Sequence, residues 1–109
     1  MAPAVFQILV ALADQPRHGY GLVTEVATMT DGRVRLRAGT LYGALDRLVT
    51  QGLLEPDRDE VDNGRLRRYY RLTDAGAAAV RAEADRMAAA VRLAEERLGR
   101  RSTRLGLAR

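Results

Sequence analysis

Residues 63–72, with the sequence NGRLRRYYRL, decide the fold predicted for this chain of 109 residues. Asn63-Gly64 tolerates the positive φ angles of a tight hairpin turn, and the eight residues after it alternate as a β-strand does. One face of that strand would carry Leu66, Arg68, Tyr70 and Leu72, and the other Arg65, Arg67, Tyr69 and Arg71. The first face is expected to pack and the second to be cationic.

The chain before the turn is predicted to complete a hairpin over residues 53–72. Residues 53–55 are extended in this interpretation, and the polar, acidic stretch that follows forms the tip. Carboxylates attract guanidinium groups and repel other anions, so the acidic residues are expected to pair with nearby arginines or to face away from any anion that the cationic strand binds. They are Asp57, Asp59, Glu60 and Asp62.

A long helix is predicted after the hairpin, from Asp74 to about Leu98. Thr73 is a good N-cap, and Asp74 adds a negative charge where the helix dipole favours one. Apolar residues then recur at steps of four and three, which is a heptad seam. The seam, which we predict to be a dimer interface, consists of Val80, Ala84, Met87, Val91, Ala94 and Leu98.

This seam could instead fold back on its own domain. A helix of about 25 residues is about 37 Å long, more than a small body can cover, so pairing between two subunits is favoured. Residues 99–109 contain Gly99, Gly106 and four arginines and are predicted to be a flexible basic tail.

The first half of the chain contains three further periodic segments. Residues 4–13 are apolar nearly all round, as in a buried helix, and residues 20–29 place Tyr20, Val23 and Val26 on one inward stripe. Residues 33–37 alternate arginine with an apolar residue, as a short strand would. A helix over residues 38–51 follows, with Leu41, Leu45 and Leu48 inward and Gly52 as its stop.

The order helix, helix, short strand, helix, hairpin, long helix predicts a mainly α fold with a small β-hairpin. It is the layout of a winged helix-turn-helix with a long C-terminal dimerisation helix. The predicted divisions are a DNA-binding domain over residues 1–73, a dimerisation helix over 74–98 and the tail over 99–109.

Two groups of residues are candidates for contact with DNA. The first lies on or beside the helix over residues 38–51, whose start could approach a phosphate and whose polar side could reach base edges: Arg37, Thr40, Tyr42 and Arg47. The second is on the cationic strand, where guanidinium groups suit phosphate oxygens: Arg65, Arg67 and Arg68. Either group could also be an ordinary solvated face.

Composition excludes several kinds of chemistry. The chain has no cysteine and one histidine, His18, so thiolate metal sites and cysteine nucleophiles are excluded and His18 is expected to cap or pack. No metal, cofactor or enzymatic activity is predicted. The longest apolar stretch is too short for a membrane span, and a cytoplasmic protein is expected.

Net charge gives no support to a basic body. The formal charge is +4, but residues 1–98 contain fourteen arginines and fourteen acids, so the whole excess lies in residues 99–109. An acidic stretch and a neutral body would suit a winged-helix protein-interaction module that does not bind DNA. The cationic strand opposes that alternative.

Three motifs resemble the PadR family of transcriptional regulators over roughly residues 5–98. They are Arg17-His18-Gly19-Tyr20-Gly21, then Gly39-Thr40-Leu41-Tyr42 with Leu45, Leu48, Gly52 and Leu53, and finally Arg68-Tyr69-Tyr70-Arg71-Leu72-Thr73 with Gly76. The resemblance implies a homodimer that binds a palindromic operator, usually as a repressor, with Thr40 and Tyr42 on the recognition helix and Arg67 and Arg68 in the wing. Some members respond to small molecules, so the resemblance leaves room for an effector of unspecified identity.

Overall fold

The computed structural model describes residues 1–106. In chain order its elements are α1 (Pro3–Ala11), β1 (Arg17–His18), α2 (Gly19–Met29), α3 (Ala38–Thr50), β2 (Leu54–Asp62), β3 (Arg65–Leu72) and α4 (Asp74–Arg104). This confirms the predicted winged helix-turn-helix with a long C-terminal helix.

The core lies between the first three helices and the base of the hairpin. Its largest fully buried side chains are Ile8, Leu9, Leu22, Leu41, Leu45, Leu54 and Val26. Each buried side chain of this size contributes about 1.5–3 kcal/mol by leaving water. The core therefore fixes α3 against α1 and α2 and leaves the opposite side of α3 free.

The three strands form one antiparallel sheet in the order β1-β3-β2. Arg17 pairs with Tyr70 and His18 with Tyr69, so β1 covers only the base of β3. The hairpin turn is as predicted, because Asn63 and Gly64 have φ angles of 51° and 76°.

The strand predicted over residues 33–37 does not form. Val34 and Leu36 pack partly buried against the core, whereas Arg33, Arg35 and Arg37 are exposed. The alternation of arginine and apolar residues therefore reflects burial of the apolar side chains and not strand pairing. The position beside β3 in the sheet is occupied by β1. The segment is extended without a strand partner.

Strand β2 is longer than predicted, because the acidic stretch is itself extended up to Asp62. Its carboxylates lie opposite arginines of β3, for example Glu55 opposite Arg71 and Asp59 opposite Arg68. Opposite charges facing each other across an antiparallel pair favour strand pairing by about 0.2–1 kcal/mol each. These pairs offset the poor strand propensity of the acidic residues.

The prediction that Tyr20 lies on the inward stripe of α2 is wrong. The buried positions are Gly19, Leu22 and Val26, and the Tyr20 side chain is 65% exposed. Because α2 begins at Gly19, its inward face is set from that glycine, which packs against α3. Tyr20 therefore points away from the core at the first turn.

The start of α4 is tied to the hairpin base. Thr73 caps the helix as predicted, since its hydroxyl accepts from the Gly76 N–H at 3.0 Å, and it also donates to the Gly52 carbonyl at 2.6 Å. The Thr73 N–H donates to the Leu53 carbonyl at 3.1 Å. These contacts fix the direction in which α4 leaves the domain.

Helix α4 continues to Arg104, so the flexible tail predicted from residue 99 is wrong for residues 99–104. The helical cost of Gly99, about 1 kcal/mol, is offset by the arginines that follow and by an ion pair between Arg100 and Glu96 at 3.3 Å. The helix ends before Gly106, whose φ is 71°. The part of the predicted tail over 107–109 lies outside the described residues.

Candidate nucleic-acid interface

One side of α3 is free of the core and carries the polar residues expected there. Leu41, Leu45 and Leu48 are buried, whereas Thr40 and Arg47 are exposed and Tyr42 is 50% exposed. Arg37 is the N-cap residue, and its side chain makes no capping hydrogen bond. The first amide groups of α3 are therefore available to an anion.

Tyr42 lies against the start of α2. An added Cβ on Gly19 would be 2.5 Å from the Tyr42 hydroxyl oxygen and 2.9 Å from its Cζ atom. Only glycine permits this approach, so Gly19 sets the position of the Tyr42 ring. That contact explains why a glycine occupies the middle position of the His18-Gly19-Tyr20 motif.

His18 is the N-cap of α2, in agreement with the capping or packing role predicted for it. Its Nδ1 accepts from the Gly21 N–H at 3.1 Å, and its ring meets that of Tyr69 edge-on at 5.1 Å between centroids. Burial lowers the pKa of His18, and the nearby Arg67 charge adds to the effect. The neutral ring is the form that can accept the capping hydrogen bond.

Two arginines of β3 are neutralised by carboxylates of β2. Arg71 binds Glu55 at 2.8 Å and Asp57 at 2.9 Å, and Arg68 binds Asp59 at 3.3 Å. Arg71 and a further arginine, Arg58, hold the pKa of Asp57 below its usual range by hydrogen bonding. This pairing agrees with the expectation that the acidic residues would either face away or bind arginines.

Arg65 and Arg67 differ from these two. Neither forms an ion pair within 4.0 Å among the described residues, although Asp62 and Glu60 stand opposite them in the strand register. Glu60 binds Arg58 instead. The positive charge of the wing is therefore concentrated on Arg65 and Arg67.

A cleft of about 260 Å³ separates the wing from α3. Its lining residues are His18, Gly19, Tyr42, Arg65, Leu66, Arg67 and Arg68. Four of the seven predicted DNA contacts, Tyr42 and the three wing arginines, thus border one surface. Arg47 lines a separate depression beside α1, and Arg37 and Thr40 line neither.

Tyr20 contacts this surface through Arg67, and the sequence did not predict that contact. The Arg67 guanidinium lies over the Tyr20 ring at 5.6 Å from its centroid. Helical periodicity placed Tyr20 inside, and no local pattern indicated its contact with a residue 47 positions later. The signal that could have found it is its place beside His18-Gly19 in the family motif.

The predicted seam of α4 is on the surface. Val80 packs against the core and Ala84 is half-buried, but Met87, Val91, Ala94 and Leu98 are exposed. The seam runs into an apolar groove of about 380 Å³ beside α1, lined by Phe6, Val10, Ala13, Leu72, Ala77, Val80, Arg81 and Ala84. Exposed apolar residues and groove form one continuous stripe.

The sequence profile of the transcriptional regulator PadR-like family matches residues 8–82. The chain belongs to this family. The match confirms the resemblance seen in the three motifs, and a family of regulators agrees with the prediction of a non-enzymatic protein.

Relatives of this PadR-like protein include regulators. It is 44% identical over 73 residues to transcriptional regulator Rv3488 of Mycobacterium tuberculosis, covering 67% of this chain and 64% of the relative. It is 31% identical over 71 residues to uncharacterized protein X of Lysinibacillus sphaericus, covering 65% of each. The match spans just under two thirds of the length of these relatives.

Solved structures share the fold. A PadR family transcription regulator of Clostridium difficile R20291 superposes with a TM-score of 0.70 at 25% identity, over 90% of this chain and all of the other. A PadR family regulator of Eggerthella lenta gives 0.68 at 30%, over 86% and 80%. Bacillus subtilis PadR, solved in complex with operator DNA, gives 0.65 at 20%, over 74% and 46%.

Neither a membrane span nor a metal cluster stands out in the part of the chain that the structure describes. No helix within residues 1–106 is both long and apolar enough to cross a membrane. Over the same residues, no group of three or more His, Asp or Glu side chains is arranged to hold a metal ion.

Proposed function

We propose that this PadR-like protein is a dimeric, sequence-specific DNA-binding transcriptional regulator that acts as a repressor. Helix α3 would enter the major groove, and the wing formed by β2 and β3 would lie on the flanking backbone. In this arrangement Thr40, Tyr42 and Arg47 contact base edges or phosphates, and Arg37 lies beside the backbone at the start of α3.

The observation that carries this proposal is the cleft between α3 and the wing. It places Tyr42, a side chain able to bond to a base or phosphate, on the same surface as the unpaired cations Arg65 and Arg67. A DNA-binding surface needs both, since phosphate contacts position the protein and base contacts specify the site. Bacillus subtilis PadR, which has the same fold, was solved in complex with operator DNA, and this supports DNA binding as the function.

Dimerisation is supported by the apolar stripe of α4 and α1. Exposed apolar residues such as Val91, at 56% exposure, continue into the groove that contains Phe6 and Val10. Covering this stripe with a second copy would remove it from water and place two recognition helices on one duplex. The seam residues alone are small, so α1 is expected to contribute to the interface.

A winged-helix module that binds another protein is the alternative. Carboxylates of β2 neutralise Arg68 and Arg71. This favours the alternative because it lowers the positive charge that the wing could present to DNA. Under this alternative the apolar stripe is the main contact surface and DNA is not bound.

Selection from a random-sequence duplex library separates the two functions. The proposed regulator should enrich a palindrome whose half-sites are about one helical turn apart, matching a two-fold dimer. A reporter placed behind that sequence should be repressed by the protein. If no sequence is enriched and mixed-sequence DNA is not bound, the proposed function is wrong.

Replacing Gly19 with Ala should weaken binding of the dimer to the selected duplex by about thirtyfold, which corresponds to about 1 kcal/mol in each of two subunits. The new Cβ would displace the end of the Tyr42 side chain, which would lose about one hydrogen bond per subunit, worth about 1 kcal/mol. Fluorescence anisotropy measures the affinity, and Gly21→Ala is the control because its Cβ would be 3.6 Å from the nearest atom. Equal affinities of both variants would show that Tyr42 does not contact DNA.

The proposal places the protein in the cytoplasm with genomic DNA as its partner. The proposal leaves room for a small-molecule effector, as the family resemblance does, and assigns it no identity.

A further inference from the structure

The guanidinium of Arg67 contacts an aromatic ring and has no ion-pair partner among the described residues, whereas Arg58, which lies over Tyr69, also binds carboxylates. The Arg67 group lies over the Tyr20 ring at 5.6 Å, within the range of a cation–π interaction, and it has no carboxylate within 4.0 Å among the described residues. Its Nε atom is buried and forms no hydrogen bond with any of them. The ring and the packing around the side chain therefore orient this cation.

An aromatic ring and a carboxylate have different effects on a cation that must bind phosphate. A carboxylate fixes a guanidinium but cancels its charge and repels an incoming phosphate, as Asp59 does beside Arg68. The face of a tyrosine ring attracts the cation through its quadrupole and leaves the full positive charge. Arg67 is thus held in a fixed orientation and its charge remains available to a phosphate. The ion-paired arginines of the wing do not combine these two properties.

The two partners come from distant parts of the chain. Tyr20 is in the first turn of α2, and Arg67 is on β3 beyond the two residues that β1 pairs. The outer part of β3 has no strand on its α3 side, so side-chain contacts must set its distance from α3. The contact between Tyr20 and Arg67 joins this part of β3 to the first turn of α2.

We propose that Tyr20 is a positioning residue that holds the Arg67 guanidinium, with its charge intact, against a phosphate of bound duplex DNA. Tyr20 acts through Arg67 and needs no contact of its own with the DNA. The inference rests on the proposed DNA-binding function and adds to it a residue from outside the recognition helix and the wing.

Four variants and their combinations test this role on the duplex selected by the wild-type protein. Tyr20→Leu should lower the affinity of the dimer about ten- to twenty-fivefold, because each of two wings loses one exposed cation–π contact worth about three- to fivefold. Tyr20→Phe should retain wild-type affinity because it keeps the ring. Arg67→Gln should reduce the slope of log K against log salt by about 2, because two wings each lose one phosphate contact.

The decisive readout is the combination of variants. In an Arg67→Gln background, Tyr20→Leu should have no further effect, whereas in an Arg68→Gln background it should retain its full ten- to twenty-fivefold effect, about three- to fivefold per wing. Arg68→Gln is the matched control because Arg68 is adjacent and already neutralised by Asp59. Thermal melting checks that each variant is folded, which the 65% exposure of Tyr20 favours.

Other outcomes overturn the inference. An equal loss from Tyr20→Leu in both backgrounds would mean that the ring contacts DNA directly, and a loss from Tyr20→Phe would assign the role to the hydroxyl. Wild-type affinity in Tyr20→Leu would show that the contact is irrelevant to binding. Failure of the wild-type protein to bind any duplex would instead remove the proposed function itself.

Discussion

Gly76→Ala should destabilise the protein by about 3 kcal/mol and lower its melting midpoint by more than 10 °C. An added Cβ would overlap the Leu53 carbonyl oxygen and would lie 2.7 Å from Leu72 Cδ1. The oxygen belongs to the backbone at the base of the hairpin and cannot rotate away as a side chain can. The start of α4 would have to separate from the sheet.

The consequence extends to the capping contacts around this glycine. The Gly76 N–H donates to Thr73 Oγ1, and Thr73 in turn bonds to Gly52, so displacement of α4 would disturb all of them. Thermal unfolding at a fixed protein concentration measures the effect. Gly99→Ala is the control, since its Cβ would meet no atom within 4 Å and should stabilise the helix by up to about 1 kcal/mol. A Gly76→Ala midpoint within a few degrees of wild type would show that the two segments are not in close contact.

Val91→Glu should convert the proposed dimer into a monomer and weaken binding to the selected duplex at least a hundredfold. Val91 is at the centre of the exposed stripe, so pairing of two α4 helices would bury two glutamates against apolar side chains and near each other. Burial of an unpaired charge costs several kcal/mol. Loss of the dimer also removes the advantage of two linked recognition helices, typically a factor of 10²–10⁴.

Sedimentation velocity and operator titration together measure this result. Leu93→Glu is the matched control, because it introduces the same charge at a residue that is 48% exposed and lies off the stripe. It should remain a dimer. A Val91→Glu protein that sediments as a dimer, or a Leu93→Glu protein that does not, would place the interface elsewhere.

Local chemistry explains which elements could be predicted. Asn63-Gly64, Gly52 and the Thr73 cap each determine the backbone over a few residues, and the structure has the turn, the helix end and the helix start there. The leucine stripe of α3 is similarly local, since its spacing alone selects the inward face. These signals do not depend on distant parts of the chain.

Tertiary contacts explain the failures. The alternation over residues 33–37 comes from burial against the core, and the acidic stretch becomes strand β2 because arginines of β3 face it. Tyr20 points outward because Gly19 packs against Tyr42 on a different helix. The first and third of these causes lie outside any window of ten residues, and the second depends on the cross-strand register of the hairpin.

The sequence predicted which arginines of the wing belong to the candidate site, but not which of them remain free of carboxylates. Arginine spacing identified Arg65, Arg67 and Arg68 together, but the structure divides them by charge pairing, because Arg68 binds Asp59 and the other two bind no carboxylate among residues 1–106. Cross-strand register decides this division, and a bulge between Pro56 and Arg58 shifts that register. Our expectation is therefore that Arg65 and Arg67 carry the electrostatic contact of the wing.

The salt dependence of binding to the selected duplex is the sharpest test of whether Arg65 and Arg67 bind phosphate. Because residues 1–98 have no net charge, a steep dependence must come from local cations in that part or from the four arginines of residues 99–109, and variants of the wing separate the two sources. With Arg65 and Arg67 on phosphates in both wings, log K should fall linearly with log salt with a slope of about −4 or steeper. The slope should become shallower by nearly 4 in the Arg65→Gln, Arg67→Gln double variant. A flat dependence, or an unchanged slope in the double variant, would contradict the account.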